Sequence, residues 1–171
     1  MKSSTSNDAD AFTSRDMFSA EVFGRSLVLT NCPFFTETDA VADGNYYYEL
    51  AVYALKCRNT SKAYSCAQKA MELNPELNGK AYMIMGTVWG STVCSGNEIE
   101  RRAPYWVAVD FMVKAKNADE TLAEDANNYI RQYSAYFPQT AEAFMYNITD
   151  GDPYTVSCNG LRESTKVRTQ D

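Results

Sequence analysis

A chain of 171 residues, 45% of them hydrophobic and 13% aromatic, is long enough to bury one proper core. Its formal net charge of -6 argues against nucleic acid as a partner, because a phosphate backbone would be repelled rather than steered. With no histidine at all, Ser-His and Cys-His nucleophilic catalysis and His-containing zinc sites are excluded by composition.

The opening Met1 to Asp10 is polar and has no apolar stretch, which predicts no signal peptide in this chain. No run approaches the ~18 apolar residues of a membrane span. From Ala9 to Phe23, the residues Ala11, Arg15, Phe18 and Val22 fall on one helical stripe with Asp8 or Asp10 as cap, so a helix is expected there. Arg25 to Phe35 is apolar and β-branched, and Thr36 to Asp43 is acidic and polar; together they read as an irregular connector.

Asp43 to Asn45 then supplies cap chemistry for a helix over Tyr46 to Cys57. Asn59, Thr60 and Ser61 make a turn, with Ser61 as the expected cap of a second helix that Asn74 and Pro75 end. Asn59-Thr60-Ser61 and Asn147-Ile148-Thr149 match the N-glycosylation pattern but read as structural turns. Within the helical pair, Tyr47, Leu50 and Ala51 are followed by Ala63 twelve residues after Ala51, Ala70 seven later and Pro75 five later. Small residues belong where two antiparallel helices cross most closely, so Ala51 and Ala63 are expected in a tight seam.

Tyr82, Met85 and Gly86 repeat this pattern 35 residues on, and Ala108 and Ala115 repeat the seven-residue spacing of Ala63 and Ala70. Ala108, however, lies 22 residues after Gly86, so the ten extra residues predict an inserted loop near 95–104. Glu120 stands where proline would be expected. Thr121 to Tyr136 and Thr140 to Ile148 carry two more helical patterns. Beyond Pro153, Tyr154, Val156 and Cys158 alternate with polar residues, Asn159-Gly160 is a turn dipeptide, and Thr165 and Val167 resume the alternation. A β-hairpin is expected here, packed on the last helices because an isolated one is marginal in water.

The five cysteines, Cys32, Cys57, Cys66, Cys94 and Cys158, share no C-x-x-C spacing. Reduced core cysteines with at most one or two bridges are the expectation, and no pair is assigned. The domain organisation predicted is 1–43, an N-terminal helix and connector; 44–148, helical repeats; and 149–171, the hairpin tail.

The spacing from Tyr47 to Pro75 resembles the tetratricopeptide repeat (TPR) family, whose unit is one helix-turn-helix of about 34 residues. The resemblance covers Asn45 to about Ala118, one repeat matching fully and a second in part. Tyr136-Phe137-Pro138, Asp150-Gly151, Tyr154-Thr155-Val156 and Thr165-Lys166-Val167-Arg168 resemble the C-terminal end of uncharacterised, typically exported TPR proteins of Bacteroidetes. The resemblance implies a mainly α fold, a TPR-like α-α superhelix with a C-terminal β-hairpin. It also implies a periplasmic or cell-envelope location, with the cytoplasm as the alternative.

In TPR proteins the concave face comes from the first helix of each repeat. Carried over, it comprises Asn45, Tyr48, Val52 and Lys56, with Leu55, from the first unit, and Lys80, Met83 and Thr87, with Gly90 and Ser91, from the second. The function implied is a non-catalytic scaffold that binds a protein or peptide there, with no catalytic residue, metal or cofactor. The set lacks the full Lys, Asn and Arg clamp for a C-terminal carboxylate. Two alternatives are a terminal structural or oligomerisation cap of a longer solenoid, and a hydrolase using Ser and Lys or the carboxylates Asp110, Asp119, Glu120 and Glu124.

Overall fold

The computed structural model describes residues 37–171, in which the chain is mainly helical and ends in a small antiparallel sheet. The expected helix over Ala9 to Phe23 and most of the connector after it lie outside the described residues. Helix α1 spans Glu37–Lys56 and so begins well before Tyr46. Ala40 and Ala42 are strong helix formers, and no proline follows Pro33 until Pro75. The acidic segment is therefore the first turns of the helix, and Asp43 to Asn45 are interior to it rather than capping it.

Arg58 ends α1 in the left-handed region at φ 58. Its N–H donates to Leu55 O at 3.0 Å and the N–H of Asn59 to Ala54 O at 2.9 Å, the two bonds of a Schellman stop. The next helix, α2, spans Thr60–Leu73, and its cap is Asn59, whose Oδ1 accepts from Lys62 N at 3.2 Å; Ser61 is already inside. A connector of three residues forces α1 and α2 to lie antiparallel. Ala51, Ala54, Ala63, Ala67 and Ala70 fill the space between them and their neighbours, all buried.

The end of α2 is a double cap. The Asn74 N–H donates to Ala70 O at 2.8 Å, while its side-chain Oδ1 accepts from Glu76 N at 3.1 Å and starts the short 3-10 turn Pro75–Leu77 that leads into α3, Asn78–Ser91. The same device recurs after α4, which spans Glu98–Ala118. There the Asp119 N–H donates to Ala115 O at 3.0 Å and its Oδ1 accepts from Thr121 N at 2.9 Å, opening the turn Glu120–Leu122 before α5, Ala123–Ser134. Glu120 thus replaces Pro75 without loss of the turn, because the Asx side chain makes it.

The ten extra residues of the second hairpin are divided. Three lengthen the connector, Thr92 to Asn97, and seven are added first turns of α4, Glu98 to Pro104, so the inserted loop expected near 95–104 is largely helix. Asn97 and Glu100 explain why: Asn97 Oδ1 accepts from Glu100 N at 2.8 Å and Glu100 Oε2 accepts from Asn97 N at 2.9 Å, a reciprocal cap that starts the helix early. Pro104 lacks the N–H of a helix interior, which costs about 3 kcal/mol; its ring is fully buried, which offsets part of that.

Helix α6, Thr140–Met145, is followed by strands β1, Pro153–Cys158, and β2, Leu161–Lys166, paired antiparallel from Pro153 with Lys166 to Cys158 with Leu161. Asn159 and Gly160 take φ 51 and 80, the positive values of the tight turn that their identities predict. The hairpin packs chiefly on α4, with one reach to α2, rather than on the last helices. Val156 and Val167 are buried, Trp106 Nε1 donates to Arg168 O at 2.8 Å, the Arg168 guanidinium pairs with the Asp110 carboxylate, and Tyr64 donates to Glu163. Cys94 of the connector is disulfide-bonded to Cys158 at the end of β1. Cys57, exposed, and Cys66, buried, are free thiols. The final residues touch α6, where Thr140 N donates to Gln170 O at 3.1 Å.

Candidate functional site

Positions 45, 48, 52 and 56 recur at the helical three- and four-residue interval and so form one stripe of α1; 80, 83 and 87 do the same on α3. Asn45, Lys56 and Lys80 are exposed, and Tyr48, Val52, Met83 and Thr87 are half-buried, the first three packed on the core below. The first helices of the two hairpins thus present a mixed surface with two cations and one phenol. Burial, and secondarily the neighbouring Glu49, raises the Tyr48 pKa above the ordinary tyrosine value, so its hydroxyl is a neutral donor across the physiological range.

The far end of this surface is closed by α5. A Cβ on Gly90 would lie 2.4 Å from the Tyr133 ring, so Gly90 is the seat of that ring and not part of an open groove. Thr87 lies beside the same tyrosine and gives its hydroxyl to Met83 O at 2.8 Å. Burial pushes the Tyr133 pKa up to about 12. The accessible part therefore runs from Asn45 to Lys56 on α1 and over Lys80 and Met83 on α3. At its lower edge the Asn74 amide reaches Asn45 Oδ1 at 3.4 Å.

The carboxylates named for a hydrolase do not gather. Asp110 holds Arg168 and accepts from Thr165 Oγ1 at 2.5 Å, fastening the hairpin. Asp119 lies nine residues further along α4, about 13 Å up the axis. There the side-chain hydroxyl and the N–H of Thr121 hold its pKa below the usual carboxylate value, with Lys80 adding to the effect. Glu120 and Glu124 are exposed near the start of α5. Among the described residues no group of three or more His, Cys, Asp or Glu side chains is placed to hold a metal ion, and no helix is long and apolar enough to cross a membrane.

Two features escaped sequence reading. One is the junction Tyr64–Glu163, Trp106–Arg168 and Asp110–Arg168, which joins residues 99, 62 and 58 apart and leaves no local signature. The other is a recess of about 230 Å³ between the connector, α4 and β1, lined by Cys94, Ser95, Glu100, Ala103 and residues 154–157. A signal did exist for a pair of close approaches. Gly44 and Gly79 are 35 residues apart, like Tyr47 and Tyr82, and a Cβ on either would come within 2.6 Å of the Cβ of the double cap, Asn74 or Asp119. No family model, curated protein or solved structure matches the chain.

Proposed function

We propose that this chain is a non-catalytic interaction module of TPR type, which holds a protein or peptide on the face formed by α1 and α3. In this reading α1, α3 and α5 form the inner layer of a short superhelix and α2, α4 and α6 the outer layer. Asn45, Tyr48, Val52, Lys56, Lys80 and Met83 are the contact residues, with Thr87 at the margin. One observation carries the reading: these side chains are exposed or half-buried, while the hairpin directs its hydrogen bonds to Tyr64, Trp106 and Asp110 of α2 and α4. Tyr48 is the expected anchor, because a half-buried aromatic ring with a free hydroxyl is the commonest type of interface hot spot.

A periplasmic or cell-envelope location goes with this proposal. The Cys94–Cys158 bridge supports it, since disulfides persist in oxidising compartments and are rare in the cytosol. The role as a structural or oligomerisation cap is favoured by a separate observation, the exposed Val41, Tyr46 and Tyr53 of α1, apolar surface on which a neighbouring repeat can stack.

The test begins with capture of partners by the intact protein from a cell-envelope extract, identification by mass spectrometry, and titration of the purified partner against wild type and Tyr48→Ala. A folded Tyr48→Ala protein should lose at least about tenfold in affinity. Unchanged affinity would overturn the assignment of this face.

A further inference from the structure

The turn at Asn159 and Gly160 sets the register of the hairpin, and among the described residues the register leaves one edge without a partner strand. A two-residue turn makes Cys158 and Leu161 a hydrogen-bonded pair, and such pairs alternate along antiparallel strands, so Val156 with Glu163 and Tyr154 with Thr165 are bonded as well. The N–H and C=O groups of Thr155 and Ser157 consequently point away from β2. They bond to no other described backbone group.

The two edges of this sheet differ. Along β2 the outward positions are Arg162, Ser164 and Lys166, so exposed charges of the kind that protect an edge against pairing stand on either side of one neutral residue. Along β1 the outward positions carry Thr155 and Ser157, both exposed and uncharged. Beside this edge lies the recess of about 230 Å³, which Cys94, Ser95 and Ala103 line together with residues 154–157.

Glu100 is the charged side chain among the residues lining that recess. Its Oε2 is held by Asn97 N at 2.9 Å, and Gly96 beside it, at φ 130, keeps the room clear: a Cβ there would lie 1.8 Å from the same oxygen. The carboxylate is thereby fixed in place before anything binds. Its second oxygen is left for a cation.

The geometry points to a second interaction site, distinct from the α1 and α3 face: the outer edge of β1 takes an extended peptide as a third strand, with a basic side chain of that peptide set against Glu100. Backbone bonds to Thr155 and Ser157 supply the affinity, and the recess and its carboxylate supply the preference for a cationic residue. Pro153, having no N–H, ends the edge at that side, so the added strand is short.

The probe is the capped pentapeptide acetyl-Thr-Val-Lys-Val-Thr-amide, titrated into the oxidised full chain and followed by amide NMR. Saturable shifts at Ser95, Glu100, Thr155 and Ser157, with slowed exchange of the Thr155 and Ser157 amides, are expected. Thr155→Pro removes an outward N–H and no hairpin bond, and should abolish the shifts while the melting curve stays cooperative. Glu100→Gln, which keeps the reciprocal cap, should weaken binding roughly threefold, as loss of an exposed ion pair does. The pentapeptide with Glu in place of Lys should bind more weakly to wild type. The proposal is overturned by shifts confined to α1 and α3, by absence of any saturable shift, or by equal affinity in both variants. It is also overturned by a concentration-dependent dimer that Thr155→Pro dissolves, since a second copy would then own the edge.

Discussion

The two helical hairpins use the same close approaches and differ in what they carry. In the first, Gly44 of α1 meets Asn74 and the connector has three residues; in the second, Gly79 of α3 meets Asp119 in the same way, but the connector is twice as long and α4 begins two turns early. The extra turns of α4 hold Ala103, which lines the recess beside β1, and Trp106, which bonds to Arg168 O, follows them directly. What is repeated is therefore the set of positions where backbones approach, while added residues accumulate at the end of the hairpin, where a tail can use them. The position of Trp106, two before Ala108, corresponds to Ser61, two before Ala63, and Ser61 is exposed.

That contrast predicts its own largest effect. Trp106→Ala should destabilise the protein by about 3 to 5 kcal/mol in chemical denaturation, through a cavity and a lost bond to Arg168 O, whereas Ser61→Ala should stay within about 0.5 kcal/mol. Equal effects at the two positions would mean that the hairpins are not organised as described.

Next in size is the bridge between the second hairpin and the tail, which has no counterpart in the first. Cys94 and Cys158 close a loop of 64 residues, and replacing both by serine should cost roughly 2 to 4 kcal/mol. Limited proteolysis should then cut within the β-hairpin first, with helical circular dichroism retained at room temperature. A double variant as protease-resistant as wild type would show that Trp106, Asp110 and Tyr64 hold the tail unaided.

A smaller and equal effect is expected where the hairpins agree. Gly44→Ala and Gly79→Ala each place a methyl 2.6 Å from a cap Cβ; the overpacking costs about 1 to 3 kcal/mol, less the gain of up to about 1 kcal/mol in helix propensity. Thermal melts should show two similar losses. Ala63→Leu, in the seam of the first hairpin, should fall in the same 1 to 3 kcal/mol class, and an unchanged melt there would break the seam assignment.

The last effect shows only in alkaline solution. Burial first, and then the hydrogen bond to Glu163, raise the Tyr64 pKa; burial raises that of Tyr133 to about 12. In the unfolded chain both lose their protons near pH 10. The folded state holds these protons more tightly, so its stability is undiminished below pH 10 and declines as pH rises from there toward 12. Melting temperatures measured from pH 8 to 11.5 should fall less steeply for Tyr64→Phe than for wild type.

Most of the helical pattern was legible from the chain alone because it rests on neighbours within a turn or two. The Ala, Gly and aromatic spacing marked α2, α3 and α4, Asn74 and Pro75 marked a stop, and Asn159-Gly160 marked the hairpin turn. Errors lay at boundaries. The acidic residues before Asp43 read as a connector because they are polar, although acids suit the first turns of a helix. The stretch from Glu98 to Pro104 read as loop because proline outweighed the cap formed by Asn97 and Glu100. Of the expected contact face, Gly90 was misassigned because the sequence does not say that Tyr133, 43 residues on, lies over it.

By itself, then, the sequence determined the helical pattern, the stop at Asn74 and Pro75, the hairpin turn and the absence of histidine chemistry, all of which depend on residue type or on interactions only a few positions apart. Tertiary structure alone decided that Cys94 pairs with Cys158, that Arg168 finds Asp110, that Tyr64 reaches Glu163, and that β1 and Glu100 line one recess. The physical reason is that these contacts close loops of 58 to 99 residues. The entropic cost of closing such a loop rises only slowly with its length, so separation in sequence does not select the partners. They are selected by how the helices stack.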